Sequence, residues 1–207
     1  MNKLELRDIT FKYDDKLILD DFNLKVKDGE FITLFGKSGV GKSTILKIIA
    51  GLEFPTKGKV LLDDLDITNI PVHKRNITMA LQDSYLFPHM NVEKNIAFGM
   101  KIRNMDKKKI KARVEELLEL VELKGYNNKK PRELSGGEKK RVSLCRAASF
   151  NPKVLLLDEP FVGLDDELRF KLRDILKKIH THNNMTTILV THDRDDAEIL
   201  SDRIVKL

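Results

Sequence analysis

The residues Gly36-Lys37-Ser38-Gly39-Val40-Gly41-Lys42-Ser43-Thr44 fit the pattern G-x-x-x-x-G-K-[ST]. In such a loop the backbone N–H groups cradle phosphate oxygens, the lysine, here Lys42, reaches the terminal phosphates, and a hydroxyl, here Ser43, serves Mg²⁺. An apolar run, Glu30 to Phe35, precedes the loop and a helical pattern, Ser43 to Ala50, follows it, which is the strand–loop–helix context the chemistry requires. A second apolar run ends in Leu157-Asp158-Glu159-Pro160. Asp158 at that strand tip suits the Mg²⁺ shell, and Glu159 suits orientation and deprotonation of an attacking water. Paired acids after a strand are by themselves common turn residues; the phosphate loop upstream is what makes these chemical. His192 follows the strand pattern Thr187 to Thr191, at the edge where a parallel sheet gathers its ligands, and suits contact with a terminal phosphate. His73, His89, His180 and His182 carry no such context and read as surface or loop residues.

Leu134-Ser135-Gly136-Gly137-Glu138 opens a helical pattern that runs to Phe150. Ser135 can cap that helix, and the two glycines leave backbone N–H groups bare at the positive end of its dipole. Standing alone, this would be a glycine-rich turn with a good cap. Beside a single catalytic carboxylate pair, a second phosphate-binding helix start suggests service to another subunit's nucleotide.

These pieces need a scaffold that holds them. Alternating apolar residues (Leu4, Leu6, Ile9 and Phe11, then Phe22, Leu24 and Val26) with a turn at Asp28-Gly29 predict an antiparallel layer. Further strands are expected at Gly58–Asp64 and Asn76–Leu81. Between about 91 and 150 the period turns helical, as in Val114, Leu117, Leu118 and Val121, and strand signals vanish. Strands and helices then alternate: Lys153–Asp158, a helix over roughly 166–180, Met185–Thr191, a helix from about Arg194, and Arg203–Leu207. The fold class expected is α/β: a phosphate-loop NTPase core with a mostly parallel sheet, an N-terminal antiparallel β layer, and a helical subdomain. Residues 1–207 are read as one domain into which residues 91–150 are inserted. Hinges are expected near Gln82–Pro88 and Gly125–Pro131.

Composition narrows the classes. No run of about 18 apolar residues occurs, and the N-terminus lacks the basic and apolar regions of a signal peptide. Lys+Arg number 38 against 32 Asp+Glu, a formal charge of +6. The basic runs at Lys107–Lys111 and Lys139–Arg141 are interspersed with acids and read as solvated helix faces. The only cysteine, Cys145, sits in a helical pattern and reads as a buried thiol.

With these motifs in this order, the whole chain resembles the ATP-binding subunit of an ABC transporter. The resemblance implies that Gly36 to Thr44 is the Walker A loop, that Val154 to Asp158 with Glu159 forms the Walker B strand and catalytic base, and that Leu134 to Glu138 is the signature acting in trans. It further implies that Gln82 is the glutamine that contacts Mg²⁺ or water, Gly163-Leu164-Asp165 the D-loop, His192 the switch histidine, and Tyr13 the aromatic that stacks on adenine. ATP and Mg²⁺ are the implied cofactors. The implied partners are a second ATP-binding subunit, with a homodimer expected, transmembrane permease subunits, and an extracellular substrate-binding protein; no nucleic acid is implied. The subunit would sit at the cytoplasmic face of the membrane.

Glu138 departs from the commonest signature, which has glutamine, and activity is expected to survive. The Leu86–Gly99 segment and Glu159-Pro160-Phe161 resemble bacterial importers of polyamines, iron, thiamine or sugars, so importer is the expected class. An exporter subunit remains an alternative, as do nucleotide-dependent assembly ATPases of DNA repair or translation. The short helical insert and single head speak against the assembly proteins. Importer subunits often carry a C-terminal regulatory domain, and regulation of that kind is expected to be absent unless the chain is a fragment.

Overall fold

The computed structural model describes residues 2–80 and 86–207, and these fall into two compact units: 2–79 with 153–159 and 184–207, and residues 80–152 with 160–183. The first unit carries two sheets. Strands β1 (Asn2–Tyr13), β2 (Lys16–Lys27), β4 (Lys57–Leu62) and β5 (Leu65–Asp66) form one in the order β2-β1-β4-β5, with every described pairing antiparallel. Strands β3 (Phe31–Phe35), β6 (Ile77–Ala80), β7 (Val154–Asp158), β8 (Thr186–Thr191) and β9 (Arg203–Lys206) form the other in the order β6-β7-β8-β3-β9, and its β7–β8, β8–β3 and β3–β9 pairs are parallel. The α/β class with a parallel sheet and an antiparallel layer, expected from the sequence, is the one observed.

Burial patterns explain the division. In β7 and β8 the apolar residues run almost without a break, and Val154 to Leu157 and Ile188 to Val190 are fully buried, as befits strands covered on both faces. Helix α1 (Lys42–Ala50) buries Ile45, Leu46, Ile48 and Ile49 in one core with Leu4, Leu6, Val26 and Val60 of the antiparallel layer and Ile32, Leu34, Leu156 and Ile188 of the parallel sheet. Each such side chain contributes about 1.5–3 kcal/mol relative to exposure. The ladder of β1 shifts register between Arg7 and Thr10, opposite Gly58, whose φ is +93°. A Cβ there would lie 2.4 Å from the Arg7 carbonyl oxygen, so only glycine lets the two strands close over the bulge.

The C-terminus of α1 is held by a residue without a motif. Arg75 is 2% exposed, and its guanidinium donates to the carbonyls of Ile48 (2.8 Å), Ile49 (3.0 Å), Ile70 (2.6 Å) and Thr68 (2.7 Å). A cation belongs at that end of a helix, where orphan carbonyls gather. Gly51, in the left-handed region at φ +82°, closes the helix, and a Cβ on it would fall 2.4 Å from the Arg75 Nε.

The second unit is helical. Helices α2 (Val92–Ile102), α3 (Lys107–Leu120) and α4 (Gly136–Ala148) pack on one another, α2 capped by Asn91 and α3 by Asp106. The stripe Ile110, Val114, Leu117 and Leu118 of α3 is buried, as the periodicity predicts, while Lys107 to Lys109 and Lys111 are exposed. Helix α5 (Asp166–Asn183) belongs to this unit and packs against α3 and α4 through a face made by Leu172, Ile175, Leu176 and Ile179. Arg113 of α3 adds polar ties, donating to the Ser149 carbonyl at 3.2 Å and to Asn183 at the end of α5. Cys145 is buried, and burial pushes its thiol up to about 12. The first unit also contains the short helix α6 (Arg194–Leu200). Among the described residues no helix is long and apolar enough to cross a membrane.

Candidate active site

The glycine loop joins the end of β3 to the start of α1. Gly39 and Gly41 have φ of +86° and +101°, a region other residues enter only at a cost, and Gly41 is the N-cap of α1. A Cβ on Gly41 would lie 3.1 Å from Leu19 and 3.2 Å from Ile18, so β2 closes down on the loop. Among the described residues no side chain caps α1, which leaves the backbone N–H groups of its first turn for an anion. Lys42 is 5% exposed, and its Nζ donates to the Gly36 and Lys37 carbonyls, each at 2.9 Å, so the ammonium is drawn across the loop it belongs to. Phe35, Gly36, Lys37, Ser38, Val40, His192, Lys206 and Leu207 line a cleft of about 630 Å³.

The acids arrive from β7. Ser43 Oγ donates to Asp158 Oδ1 at 2.9 Å, joining the first turn of α1 to the tip of that strand. Burial pushes the Asp158 carboxyl above its ordinary value, the Ser43 hydrogen bond opposes this, and the neighbouring Glu159 adds to it. Glu159 has φ +47°, which costs a non-glycine residue about 1–2 kcal/mol. Its N–H donates to the Val190 carbonyl at 3.0 Å, and its Oε2 lies 2.7 Å from His192 Nδ1. The backbone thus turns at Glu159 while remaining tied to β8, and the side chain meets the histidine that follows β8. His192 stands on a fixed corner, because the Asp193 N–H donates to Thr191 Oγ1 at 3.0 Å and Asp193 Oδ1 caps α6 through the Asp196 N–H.

Tyr13 ends β1 opposite Lys16. Its ring, 39% exposed, stands edge-on to Phe11 at 4.7 Å, and its hydroxyl donates to Glu53 at 3.1 Å. The strand that leaves this hairpin carries Ile18 and Leu19, the two residues nearest Gly41.

In the helical unit Leu134 is buried, and Ser135 caps α4 by accepting the Glu138 N–H at 3.2 Å. Glu138 accepts the Ser135 N–H at 2.7 Å, and this bond holds its carboxyl below the usual range. That reciprocal capping box was legible as S-x-x-E, and it gives Glu138 a role which the reading of the glycines alone overlooked. Gly136 is exposed, whereas Gly137 is buried against α5: a Cβ on it would sit 2.6 Å from Leu168. Asp165 caps α5, its Oδ1 accepting the Leu168 N–H at 2.9 Å. The expected glutamine, Gln82, lies outside the described residues. Of the expected residues, then, the loop, Asp158, Glu159, His192 and Tyr13 belong to the first unit, and Leu134 to Glu138 and Asp165 to the second.

A glycine loop between a parallel strand and a helix, faced by a strand-end Asp–Glu pair, defines a phosphate-loop α/β protein. The chain belongs to the ABC transporter family, whose model matches residues 19–162. It is 46% identical over 204 residues to the spermidine/putrescine import ATP-binding protein PotA of Clostridioides difficile (strain 630), covering 99% of this chain and 59% of that protein. It is 47% identical over 204 residues to the PotA protein of Mycoplasma capricolum subsp. capricolum, covering 99% of this chain and 58% of the relative. The chain therefore spans a little more than half the length of these relatives. Among solved structures it is similar to the ATP-binding cassette MJ0796 in a dimeric post-hydrolysis state bound to ADP and Pi, with TM-score 0.83, 32% identity, and coverage of 99% of this chain and 94% of that one.

Proposed function

We propose that this chain is the ATP-binding and ATP-hydrolysing subunit of an ABC importer, working at the cytoplasmic face of a membrane beside permease subunits. The observation that carries the reading is the convergence, within one unit, of the glycine loop, the Ser43–Asp158 hydrogen bond and the Glu159–His192 pair. Residues 1–207 act in this reading as one ATP-binding domain with a helical subdomain inserted in it.

The loop from Gly36 to Thr44 binds the phosphates through its N–H groups, and Lys42 exchanges its two carbonyl partners for phosphate oxygens. Ser43 Oγ and Asp158 Oδ1 are hard oxygen donors at adjoining positions, a donor set that fits Mg²⁺. When bound, Mg²⁺ would neutralise charge on the terminal phosphates. Gln82 is proposed to join that shell. Glu159 orients the attacking water and takes its proton as the water oxygen bonds to the terminal phosphorus; the bond to the departing ADP oxygen breaks. His192, held through Nδ1 by Glu159, keeps Nε2 for the terminal phosphate. Tyr13 offers an exposed ring for the adenine at the hairpin that abuts the loop. The Ser135–Glu138 turn, with the N–H groups of Gly136 and Gly137, serves the nucleotide of a second copy of the chain, and Asp165 lies in the segment that meets that copy. Replacing Ser135 with arginine should then abolish hydrolysis while the chain still binds ATP through its own loop. Normal turnover in that variant, assayed beside binding of a fluorescent ATP analogue, would refute the in-trans role.

The names of the relatives support a small polyamine as cargo. Purification of the tagged protein from gently solubilised native membranes, with identification of co-purifying chains by mass spectrometry, tests the importer reading. A permease together with an extracellular polyamine-binding protein is the expected result. Ribosomal or DNA-associated partners with no membrane protein would overturn it.

A further inference from the structure

Within the helical unit, Lys140 projects from the second turn of α4 and its Nζ donates to two backbone carbonyls, Pro160 at 3.0 Å and Val162 at 2.7 Å. Both belong to the segment that links Glu159 to the start of α5, and Pro160 is bonded directly to Glu159. One turn earlier on α4, Gly137 lies so close to Leu168 that a Cβ would come within 2.6 Å of it. Leu168 donates its N–H to Asp165, at the far end of the same segment. The segment 160–165 is therefore gripped twice by α4: at its start by a charged donor that satisfies two carbonyls, and at its end through the seat of Leu168 on the Gly137 backbone. Hydrogen bonds from an ammonium to carbonyls are among the stronger kind, and a carbonyl that loses its donor in a partly buried place is not cheaply satisfied.

Resting on the hydrolase reading above, we propose that Lys140 is a positioning residue for ATP hydrolysis: it locks the Pro160–Asp165 segment to the helix that opens at Ser135, so that the chain leaving Glu159 and the side chain of Asp165 share one frame with the phosphate-facing turn. Its effect is on the segment that leaves Glu159 and on where Asp165 stands when the turn is engaged, and reaction geometry is sensitive, because a displacement near 1 Å from a remote change can cost about 10²-fold.

The test uses the full chain, purified as wild type, Lys140→Met and Lys140→Arg, with steady-state ATP turnover and thermal unfolding measured on each. The methionine variant keeps the length of the stem and removes the donor. The expected result is a fall in kcat of about 10- to 100-fold with KM for ATP and the unfolding midpoint unchanged, and substantial recovery in Lys140→Arg, which restores a cation able to donate to both carbonyls. Should Lys140→Met prove unstable, Lys140→Leu, which likewise has no donor, is measured in the same way. A fall in kcat that merely tracks a lowered midpoint, or a change confined to KM, overturns the positioning role in favour of a structural one. Normal kcat in Lys140→Met beside an active wild type overturns this inference alone. A wild type without ATP turnover overturns the hydrolase reading and this inference with it.

Discussion

ATP turnover should fall by about 10²–10⁴-fold when Glu159 is replaced by glutamine, while ATP binding is retained. The side chains are nearly isosteric, so the amide can keep the contact with His192 Nδ1 that the carboxylate now makes at 2.7 Å. What it cannot do is accept the proton of the attacking water. The backbone at this position is set by other forces: the Glu159 N–H is bound to the Val190 carbonyl, and the φ of +47° is imposed by the turn out of β7. Neither depends on the charge, so the substitution isolates the proton-transfer role proposed for Glu159. Removing the charge also relieves Asp158, whose carboxyl is raised partly by its neighbour. In the two-copy site proposed above, where the Ser135–Glu138 turn serves a second copy's nucleotide, loss of hydrolysis should let the ATP-loaded variant accumulate as a dimer. Sizing chromatography with and without ATP checks this, and a variant that binds ATP yet stays monomeric would count against the two-copy site.

The second large effect concerns stability. Replacing Arg75 with methionine should cost about 3–5 kcal/mol, read as a shift in the denaturant midpoint at constant slope. Methionine preserves most of the apolar stem but leaves the Ile48, Ile49, Ile70 and Thr68 carbonyls without the donor that now serves them. Burial lowers the tendency of this guanidinium to stay charged, yet an arginine does not give up its proton in a protein, so the charge is held by those carbonyls and by the helix end. Arg75→Lys should recover only part of the loss, since a single ammonium cannot reproduce the planar fork. A methionine variant within about 0.5 kcal/mol of wild type would mean that the carbonyls find other partners.

These two residues illustrate what could be read in advance. The place of Glu159 was legible because the chemistry proposed for it forces a pattern: an apolar strand must carry the acid to a sheet edge, and the phosphate loop must lie upstream. The glycine loop, Asp158 and His192 were legible for the same reason, and the strands because burial on one or both faces dictates their period. Arg75 was not legible. Its partners are backbone carbonyls, which every residue has, and they come from α1 and from Thr68 and Ile70, so no spacing rule marks it. Lys140 escaped in the same way, reading as one more base in a charged run. The affiliation of α5 with the helices was likewise hidden, because its buried face of Leu172, Ile175, Leu176 and Ile179 would suit a sheet or a bundle equally well. The Glu138 cap stood in plain view as a local motif and was passed over for the glycines between.

The parallel sheet carries a consequence for the order in which the protein can be made. Strand β3 is flanked by β8 and β9, and β7 enters only after the helical stretch, so the strand that leads into the phosphate loop has no described neighbour in its sheet until Thr186 has been synthesised. The antiparallel layer closes early, from β1, β2 and β4, and can shelter the apolar face of α1 while the ribosome continues. The edges of β3 stay bare through that interval. Pairing of β3 in its sheet thus waits on long loop closures, and the Ser43–Asp158 bond, which joins two distant parts of the chain, can form only after Asp158 has been synthesised.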